Sequence, residues 1–272
     1  MIGKRKPVIA ILTDFGPRNW YASTLKGVIL GICPDATIVD LCHDVPPQQI
    51  EAGAYILAFV SKYYPEGTVF LCVVDPGVDT SRELVALETE ANHIYVAADN
   101  GLLTLVADRE GVRKIVKILN RRFMLPDISH TFHGRDILAP VAAHLANGEV
   151  LENFGPLKEG IMKLEIEEPV VEEGKIKGKV ILVDDFGNAV TNIEASMLNR
   201  IGVKVGSRIT VTVGSLKAEI PFFETYADIG VGEPLILIGS NGFLELSVNR
   251  RNAAKRYKVY SGSKIELCRN RL

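Results

Sequence analysis

Carboxyl and carboxamide side chains stand at the ends of three apolar runs in the first half of the chain. They are Asp14, Asp75 and the pair formed by Asp99 and Asn100. In an open α/β sheet, functional polar groups gather at the carboxyl ends of the strands. A glycine follows each within two residues, which lets the backbone approach a ligand closely. The alternative is that these residues are ordinary turn formers, because Asp, Asn, Gly and Pro dominate turns for local reasons.

A second cluster is the segment Thr131-Phe132-His133-Gly134-Arg135-Asp136. His133 precedes a predicted helix start, where backbone N–H groups are free and negative charge is favoured. Histidine is also the commonest general base near neutral pH. On composition alone, a capped helix start with an exposed histidine is the simpler interpretation. The five histidines show no HxH or HExxH spacing, so we expect no metal site.

A third cluster lies in the second half of the chain, where Asp184-Asp185-Phe186-Gly187-Asn188 is followed by Thr191-Asn192. An exposed aromatic ring can stack on a nucleobase, and a neighbouring carboxamide can hydrogen-bond the edge of that base. A plain hairpin loop accounts for the same residues equally well. The residues alone leave both interpretations open.

Composition excludes several classes of protein. The chain has 272 residues, of which 47% are hydrophobic and 24% charged, as is usual for globular proteins. The formal net charge of -2 favours neither nucleic acid nor an anionic membrane as a partner. No apolar stretch is long enough to cross a bilayer or to form a signal sequence. The four cysteines form no CxxC pair, which favours free thiols in a reducing cytoplasm over disulfides or zinc.

The elements that must position these clusters change in character along the chain. Strand and helix patterns alternate through residues 1–155, which predicts an α/β sandwich-type domain with a largely parallel sheet. A helix is predicted over Pro47–Tyr64, and strands are predicted over Val8–Leu12, Ala36–Cys42, Gly67–Val74 and His93–Ala98. Residues 156–175 are acidic and carry Gly and Pro nearby, and we interpret them as a linker. Residues 176–272 hold many short strands and little helix, which predicts a smaller all-β, barrel-like domain. Its predicted elements include a hairpin turn at Val213-Gly214-Ser215 and strands over Pro234–Ile238 and Phe243–Val248. The fold class is therefore α/β with a second β domain.

Nine short segments, taken in order, resemble the family that contains the S-adenosylmethionine hydroxide adenosyltransferases, relatives of fluorinating and chlorinating enzymes that use the same substrate. Each segment is weak evidence, but the ordered set is specific and spans nearly the whole chain. The segments are Thr13-Asp14-Phe15-Gly16, Ile32-Cys33-Pro34-Asp35, Pro65-Glu66-Gly67-Thr68-Val69, Asp75-Pro76-Gly77-Val78, Asp99-Asn100-Gly101-Leu102-Leu103, Phe132-His133-Gly134-Arg135-Asp136, Phe186-Gly187-Asn188, Thr191-Asn192-Ile193 and Arg251-Asn252-Ala253-Ala254.

The resemblance implies that the chain hydrolyses S-adenosyl-L-methionine to adenosine and L-methionine, by in-line attack of water or hydroxide on ribose C5′. Three residues match the Asp-Arg-His triad that marks the hydrolytic branch, namely Asp75, Arg82 and His133. Asp14 matches the carboxylate that holds the ribose hydroxyls. Further matches to substrate-binding positions are Asp184, Phe186, Asn188, Tyr226, Ser240, Arg251 and Ala253.

The resemblance also implies a homotrimer with active sites at subunit interfaces, and it implies no metal or organic cofactor. One alternative is a halogenating enzyme on the same scaffold. The halogenating enzymes carry a serine where this chain has Gly134, and they lack the Asp-Arg-His combination, so the resemblance favours hydrolysis. The other alternative is a non-catalytic protein that binds an adenosyl ligand.

Overall fold

The apolar run near the start of the chain forms the first strand, Val8–Thr13, and every residue of it from Ile9 onward is buried. The structure is a computed structural model that describes residues 6–269. The chain divides into two compact units, with the boundary between Glu165 and Ile166. Among residues 6–269, no helix combines the length and the apolar character that a bilayer crossing requires.

Over residues 6–165, the first unit contains six strands and four α-helices. In chain order they are β1 (Val8–Thr13), α1 (Tyr21–Ile32), β2 (Thr37–Cys42), α2 (Ile50–Val60), β3 (Val69–Val73), β4 (Leu84–Thr89), β5 (Ile94–Ala98), α3 (Thr104–Glu110), β6 (Val112–Lys117) and α4 (Ala139–Ala146). Short 3₁₀ turns cover Ser61–Tyr63, Arg121–Phe123 and Leu151–Phe154, and a π-helical turn, Gly134–Leu138, leads into α4.

The six strands form one sheet in the order β2-β1-β3-β5-β4-β6. All pairings among β2, β1, β3 and β5 are parallel, whereas β4 runs antiparallel to both of its neighbours. The predicted largely parallel sheet is therefore confirmed. Strands β4 and β6 were not predicted; β6 has the sequence VRKIVK, in which charged side chains interrupt the apolar pattern at the edge of the sheet.

Apolar side chains cover both faces of this sheet. Ile9 and Ile11 of β1 pack with residues of α1 and α4 on one face, whereas Ala10 and Leu12 pack with residues of α2 and α3 on the other. Because both faces are buried, the central strands consist of continuous apolar runs. Each fully buried Leu or Ile contributes roughly 1.5–3 kcal/mol relative to an exposed one. This packing makes the carboxyl edge of the sheet a rigid support.

In the described part of the second unit, residues 166–269, there are eight strands and two short α-helices. They are β7 (Val170–Glu172), β8 (Lys175–Val183), β9 (Ala189–Glu194), α5 (Ala195–Arg200), β10 (Arg208–Val213), β11 (Leu216–Pro221), β12 (Pro234–Ile238), β13 (Phe243–Val248), α6 (Ala253–Tyr257) and β14 (Lys264–Arg269). A further 3₁₀ turn spans Tyr226–Asp228. The hairpin turn predicted at Val213-Gly214-Ser215 joins β10 to β11.

The strand order β11-β10-β14-β8-β9-β13-β12 is antiparallel throughout its ladders. A bridge between Phe222 and Ile236 brings the end of β11 to β12, so the sheet nearly closes on itself. The predicted barrel-like β domain is therefore confirmed. Side chains that alternate along the strands fill its interior, among them Ile176, Val211 and Leu246.

The residues predicted as a linker, 156–175, take part in both units. Leu157 bridges to Val116 of β6, and the Lys158 ammonium lies 2.7 Å from a Glu83 carboxylate oxygen within the first unit. Further along, β7 pairs with β8 within the second unit. The domain limits set from sequence stay a prediction.

Candidate functional site

The three acidic turns lie at one edge of the first sheet. Asp14 directly follows β1, Asp75 lies two residues beyond β3, and Asp99 directly follows β5. Since β1, β3 and β5 are consecutive parallel neighbours, their carboxyl ends meet at the same edge. The sequence pattern therefore located this edge correctly.

Asp75, Arg82 and His133 form a connected cluster at that edge. Arg82 Nε donates to Oδ1 and Oδ2 of Asp75 at 3.0 and 3.1 Å, and Arg82 Nη2 donates to Oδ2 at 2.6 Å. The same Nη2 lies 3.0 Å from Nδ1 of His133. Only 8% of the Asp75 side chain and 9% of the Arg82 side chain are exposed. The guanidinium is thus the hub that joins the carboxylate to the imidazole.

The contact with Arg82 determines which nitrogen of His133 carries the proton. A guanidinium can only donate, so Nδ1 must accept, and the neutral imidazole then carries its proton on Nε2. Burial, followed by the charge of Arg82, lowers the pKa of His133 below its ordinary value. Both effects act against the imidazolium form. His133 is therefore neutral near pH 7.

His133 directly precedes the π-helical turn Gly134–Leu138, which leads into α4. The adjacent Asp136 is fully buried, where it accepts from the backbone N–H and the hydroxyl of Ser129 at 2.9 and 2.8 Å. Burial opposes ionisation of Asp136, but the fork with Arg135 and the Ser129 hydrogen bonds keep its pKa below the usual value. This ion pair anchors the segment predicted as the second cluster.

Asp14 has a backbone donor as partner. Its Oδ2 accepts from the N–H of Gln48 at 2.8 Å, and Gln48 has a φ of 65°. This contact accounts for a difference from the sequence prediction, in which a helix spans Pro47–Tyr64. The helix begins only at Ile50, because the backbone before it turns through a left-handed residue to reach Asp14.

Asp99 and Asn100 fit the turn-forming alternative. Asp99 Oδ1 accepts from the N–H of Met162 at 2.7 Å, and the Asn100 side chain donates to the carbonyl of Val74 at 2.8 Å. The N–H of Leu102 donates back to the Asn100 carboxamide oxygen at 3.2 Å. These contacts tie neighbouring loops together, so we assign them no role in chemistry.

A cleft of about 1260 Å³ opens in the second unit. Six of the residues matched to substrate binding line it, namely Asp184, Phe186, Asn188, Tyr226, Ser240 and Arg251. Ala253 is fully buried at the first position of α6, beside the lining residue Asn252. This volume is above the roughly 300–1,000 Å³ typical of small-molecule pockets, so the cleft has room for a nucleoside-sized ligand.

The hairpin between β8 and β9 shapes one wall of this cleft. Asn188 donates to the Asp184 carboxylate through its backbone N–H at 2.8 Å and through its side chain at 2.9 Å. Gly187 has a φ of +86°, and a Cβ there would lie 2.1 Å from the Asn252 side chain, so only glycine fits. Phe186 is left 80% exposed. The third cluster is thus a hairpin loop that also presents an aromatic face to the cleft.

Sequence reasoning missed Glu245, which lines the same cleft. Its residue is only 9% exposed, and the Tyr226 hydroxyl lies 3.5 Å from its Oε2. Burial and the nearby Asp184 charge raise the pKa of Glu245 above its usual value. The available signal was an acid within the strand Phe243–Val248, whose other residues are apolar except for Ser247. That signal is weak, because strands with one exposed face carry such residues routinely.

Comparison with known proteins agrees with this geometry. The family model for the SAM hydroxide adenosyltransferase N-terminal domain matches residues 9–155, and the model for the C-terminal domain matches residues 178–266. An (R)-S-adenosyl-L-methionine hydrolase from Salinispora tropica is 35% identical, over 96% of this chain and 97% of the relative. A fluorinase from Nocardia brasiliensis is 31% identical, over 97% of each chain.

Among solved structures, an uncharacterized conserved protein from Thermotoga maritima superposes with a TM-score of 0.91 at 40% identity, covering 96% of this chain and 100% of the other. The family models cover most of the chain, and the similarity to hydrolase and fluorinase extends over nearly its whole length. The chain therefore belongs to the SAM hydroxide adenosyltransferase family.

Proposed function

We propose that this protein hydrolyses S-adenosyl-L-methionine to adenosine and L-methionine. The observation that carries the proposal is the buried contact of Arg82 with both Asp75 and His133, since these three residues match the triad of the hydrolytic branch. Relatives named (R)-S-adenosyl-L-methionine hydrolase, at 34–35% identity, support the same activity.

The chemistry requires little beyond positioning. The sulfonium of the substrate is already a leaving group, so no general acid is needed. The oxygen of water attacks C5′, the C5′–S bond breaks, its electron pair stays on the methionine sulfur, and one proton is released. In-line positioning in a closed site can remove roughly 7–11 kcal/mol of the barrier. An anionic nucleophile and a cationic substrate neutralise each other, which a dry site favours.

The hydrogen bonds suggest a division of labour within the triad. Nδ1 of His133 is occupied by Arg82, and Nε2 carries the proton, so the neutral imidazole has no free acceptor. The Asp75 oxygens each have capacity beyond the Arg82 contacts, and we assign Asp75 as the group that takes the proton of the attacking water. Arg82 orients the carboxylate, and His133 holds the guanidinium from its other side.

The remaining assignments concern substrate binding. In the cleft of the second unit, Phe186 stacks on adenine and Asn188 hydrogen-bonds its edge. Asp184 and Ser240 hold the methionine end of the substrate, and Asp14 of the first unit holds the ribose hydroxyls. Other residues assigned to the nucleoside are Tyr226, Arg251 and the backbone of Ala253.

Fluorinase relatives make halogenation the second candidate. The packing around Gly134 argues against it. A Cβ at this position would lie 2.9 Å from Cγ1 of Val73, closer than side chains normally approach. The serine found there in halogenating enzymes would therefore displace a packed valine of β3.

The test is incubation of the purified protein with S-adenosylmethionine in halide-free buffer made with ¹⁸O-water, with chromatographic separation of the products. We expect adenosine and methionine in equal amounts, with ¹⁸O in the 5′-hydroxyl, and a large loss of turnover in Asp75→Asn. A 5′-halo product that requires added halide would indicate a halogenase. Binding without consumption of the substrate would indicate a non-catalytic binder. Either result contradicts the proposal.

We further propose a cytoplasmic homotrimer whose sites are completed across subunits, and that turnover needs no metal or organic cofactor. Support comes from the family resemblance and, for the compartment, from the free cysteines among the described residues. Mixed trimers test the assembly. Asp75→Asn and Asn188→Ala subunits are refolded together in equal amounts. A site that takes Asp75 from one subunit and Asn188 from the next is intact only if the first subunit carries Asn188→Ala and the second carries Asp75→Asn. Random assortment should therefore restore activity at about one quarter of the interfaces. Mixtures that stay inactive would place each site within one subunit.

The expectation that turnover needs no metal is tested separately, since inactivation by EDTA would contradict it.

A further inference from the structure

The loop between β3 and β4 contains a residue in an unfavourable backbone conformation. The N–H of Thr80 donates to the carbonyl of Gly77 at 3.1 Å, which makes Val78 and Asp79 the central residues of a β-turn. Asp79, the second of them, has a φ of 60°. A turn with positive φ at this place normally holds glycine or asparagine. Aspartate therefore occupies a position at which glycine would be less strained.

The Asp79 carboxylate lies between two histidines. Its Oδ2 is 2.7 Å from Nδ1 of His130, and its Oδ1 is 3.8 Å from Nε2 of His133. The His130 side chain is 87% exposed, whereas that of His133 is 11% exposed. The second distance is too long for a direct hydrogen bond. Asp79 thus acts on His133 through charge, from the side opposite Arg82.

We propose that Asp79 is a positioning residue for the triad: its carboxylate, held by His130, attracts the Nε2 proton of His133 and so keeps Nδ1 turned toward Arg82. This inference rests on the proposed hydrolase function, in which the triad carries the chemistry. It adds to the triad a fourth residue, outside the buried cluster, that acts through His133.

Among the charged groups around His133, we assign the orientation of the imidazole ring to Asp79. Arg82 faces Nδ1 and disfavours the imidazolium, as burial does. The Asp75 carboxylate is already engaged by Arg82, and Asp136 is engaged by Arg135 and Ser129. Among the ion pairs of residues 6–269, Asp79 is the acid whose carboxylate lies within 4 Å of Nε2 of His133. It offsets the guanidinium charge and orients the ring that the guanidinium contacts.

The strain supplies a second, independent argument. A left-handed conformation costs energy in a residue other than glycine, and such residues cluster at functional sites. Glycine at position 79 would remove that strain, so folding alone does not explain an aspartate there. If the carboxylate acts on the triad, its removal should lower activity without lowering stability.

The experiment uses three variants of the full-length protein. Asp79→Gly removes both the charge and the strain, whereas Asp79→Asn removes the charge and keeps a side chain that tolerates this conformation. Lys258→Gly is the matched control, because Lys258 is exposed and has a φ of 55°. This substitution relieves the same kind of backbone strain, but in the second unit. The readouts are the pKa of His133 by NMR with ¹⁵N-labelled histidine, the melting temperature, and kcat and KM for S-adenosylmethionine.

Both Asp79 variants should lower the pKa of His133 by roughly half a unit to one unit, as expected for a charge about 4 Å away near solvent. We expect kcat to fall about threefold to tenfold at unchanged KM, and the acid limb of the pH profile to move to lower pH. The melting temperature of Asp79→Gly should be no lower than that of the parent protein, and Lys258→Gly should leave the His133 pKa and kcat unchanged.

An unchanged His133 pKa in both Asp79 variants would overturn the proposal, as would an unchanged kcat. A fall in melting temperature in Asp79→Gly would also contradict it, because it would show that the carboxylate is structural. The NMR titration needs no turnover. Failure of the hydrolase proposal, which is decided by product analysis of the parent protein, is therefore distinguishable from failure of the Asp79 proposal.

Discussion

Replacement of Arg82 by lysine tests the central geometric claim, since it keeps the charge and removes the fork. Arg82 uses two nitrogens to make three contacts with Asp75, and one of these nitrogens also reaches His133. A lysine ammonium is a single point on a flexible stem, so it cannot bridge a carboxylate bidentately and contact an imidazole as well. At least one of the two partners loses its donor.

The size of the effect follows from these contacts. A hydrogen bond to a charged group contributes about 1.5–3 kcal/mol, and the Asp75 side chain is too buried for water to replace the lost donor freely. Loss of one to two such bonds in the transition state amounts to about 1.5–6 kcal/mol. That energy corresponds to roughly a 10- to 25,000-fold fall in kcat/KM. KM should change little, because the triad orients the nucleophile rather than the substrate.

The assay is the initial rate of adenosine formation over a range of S-adenosylmethionine concentrations. Calorimetry of adenosine binding checks that the substitution leaves ligand binding unchanged. Arg113→Lys is the matched control. Arg113 is an exposed arginine that pairs with Glu88 at 3.1 Å and Glu90 at 3.4 Å, and such surface pairs contribute little because water and salt screen them. A kcat for Arg82→Lys within threefold of the parent value would refute the assignment of Arg82 as the hub of the site.

Three further outcomes are expected. Burial and the charge of Arg82 lower the pKa of His133 below 6.5. Activity should therefore persist below pH 6.5 and fall only as the pH drops through the lowered pKa of His133. An acid limb centred above pH 6.5 in a pH–rate profile would contradict this. Burial opposes ionisation of Glu110, but hydrogen bonds from His93, Tyr95 and Ser61 outweigh it and lower its pKa to about 2. Glu110→Gln should therefore cost about 3 kcal/mol in urea unfolding at pH 7, and the parent protein should lose this contribution as the pH falls from 4.5 toward 2; equal stability of variant and parent would be the contrary result. Finally, Phe186→Ala should weaken adenosine binding by about 1–3 kcal/mol in calorimetry with an unchanged melting temperature, since the ring is exposed, and unchanged affinity would exclude stacking.

Local pattern sufficed for much of the fold. The apolar runs that became β1 and β3 have no polar residue to place them on a surface, so they had to be central strands covered on both faces. Once parallel neighbours are recognised, the position of Asp14 and Asp75 at one edge follows from chain direction. The strands Pro234–Ile238 and Phe243–Val248 were located to the residue, because turn residues bound them on both sides.

The sequence pattern failed to predict those elements whose position depends on a hydrogen-bonding partner far away in the chain. Strand β6 mixes charged and apolar residues without a regular alternation, and it is a strand because β4 supplies its hydrogen bonds. The start of α2 was placed too early, since the contact between Gln48 and Asp14 joins residues 34 apart in sequence. Propensity carries no information about such a distant partner.

By itself, the sequence determined the α/β fold class with its second β domain, because hydrophobic periodicity is a property of the chain alone. Its ordered motifs carry the resemblance to the family, and that resemblance implies Asp75, Arg82 and His133 as a set. Only the tertiary structure decided how these residues act together. The proton of His133 lies on Nε2 because a guanidinium 51 residues away in sequence lies 3.0 Å from Nδ1. The charge of Asp79 matters because a turn with positive φ directs it toward that same ring. Protonation states depend on distance and burial, which no spacing of residues along a chain specifies.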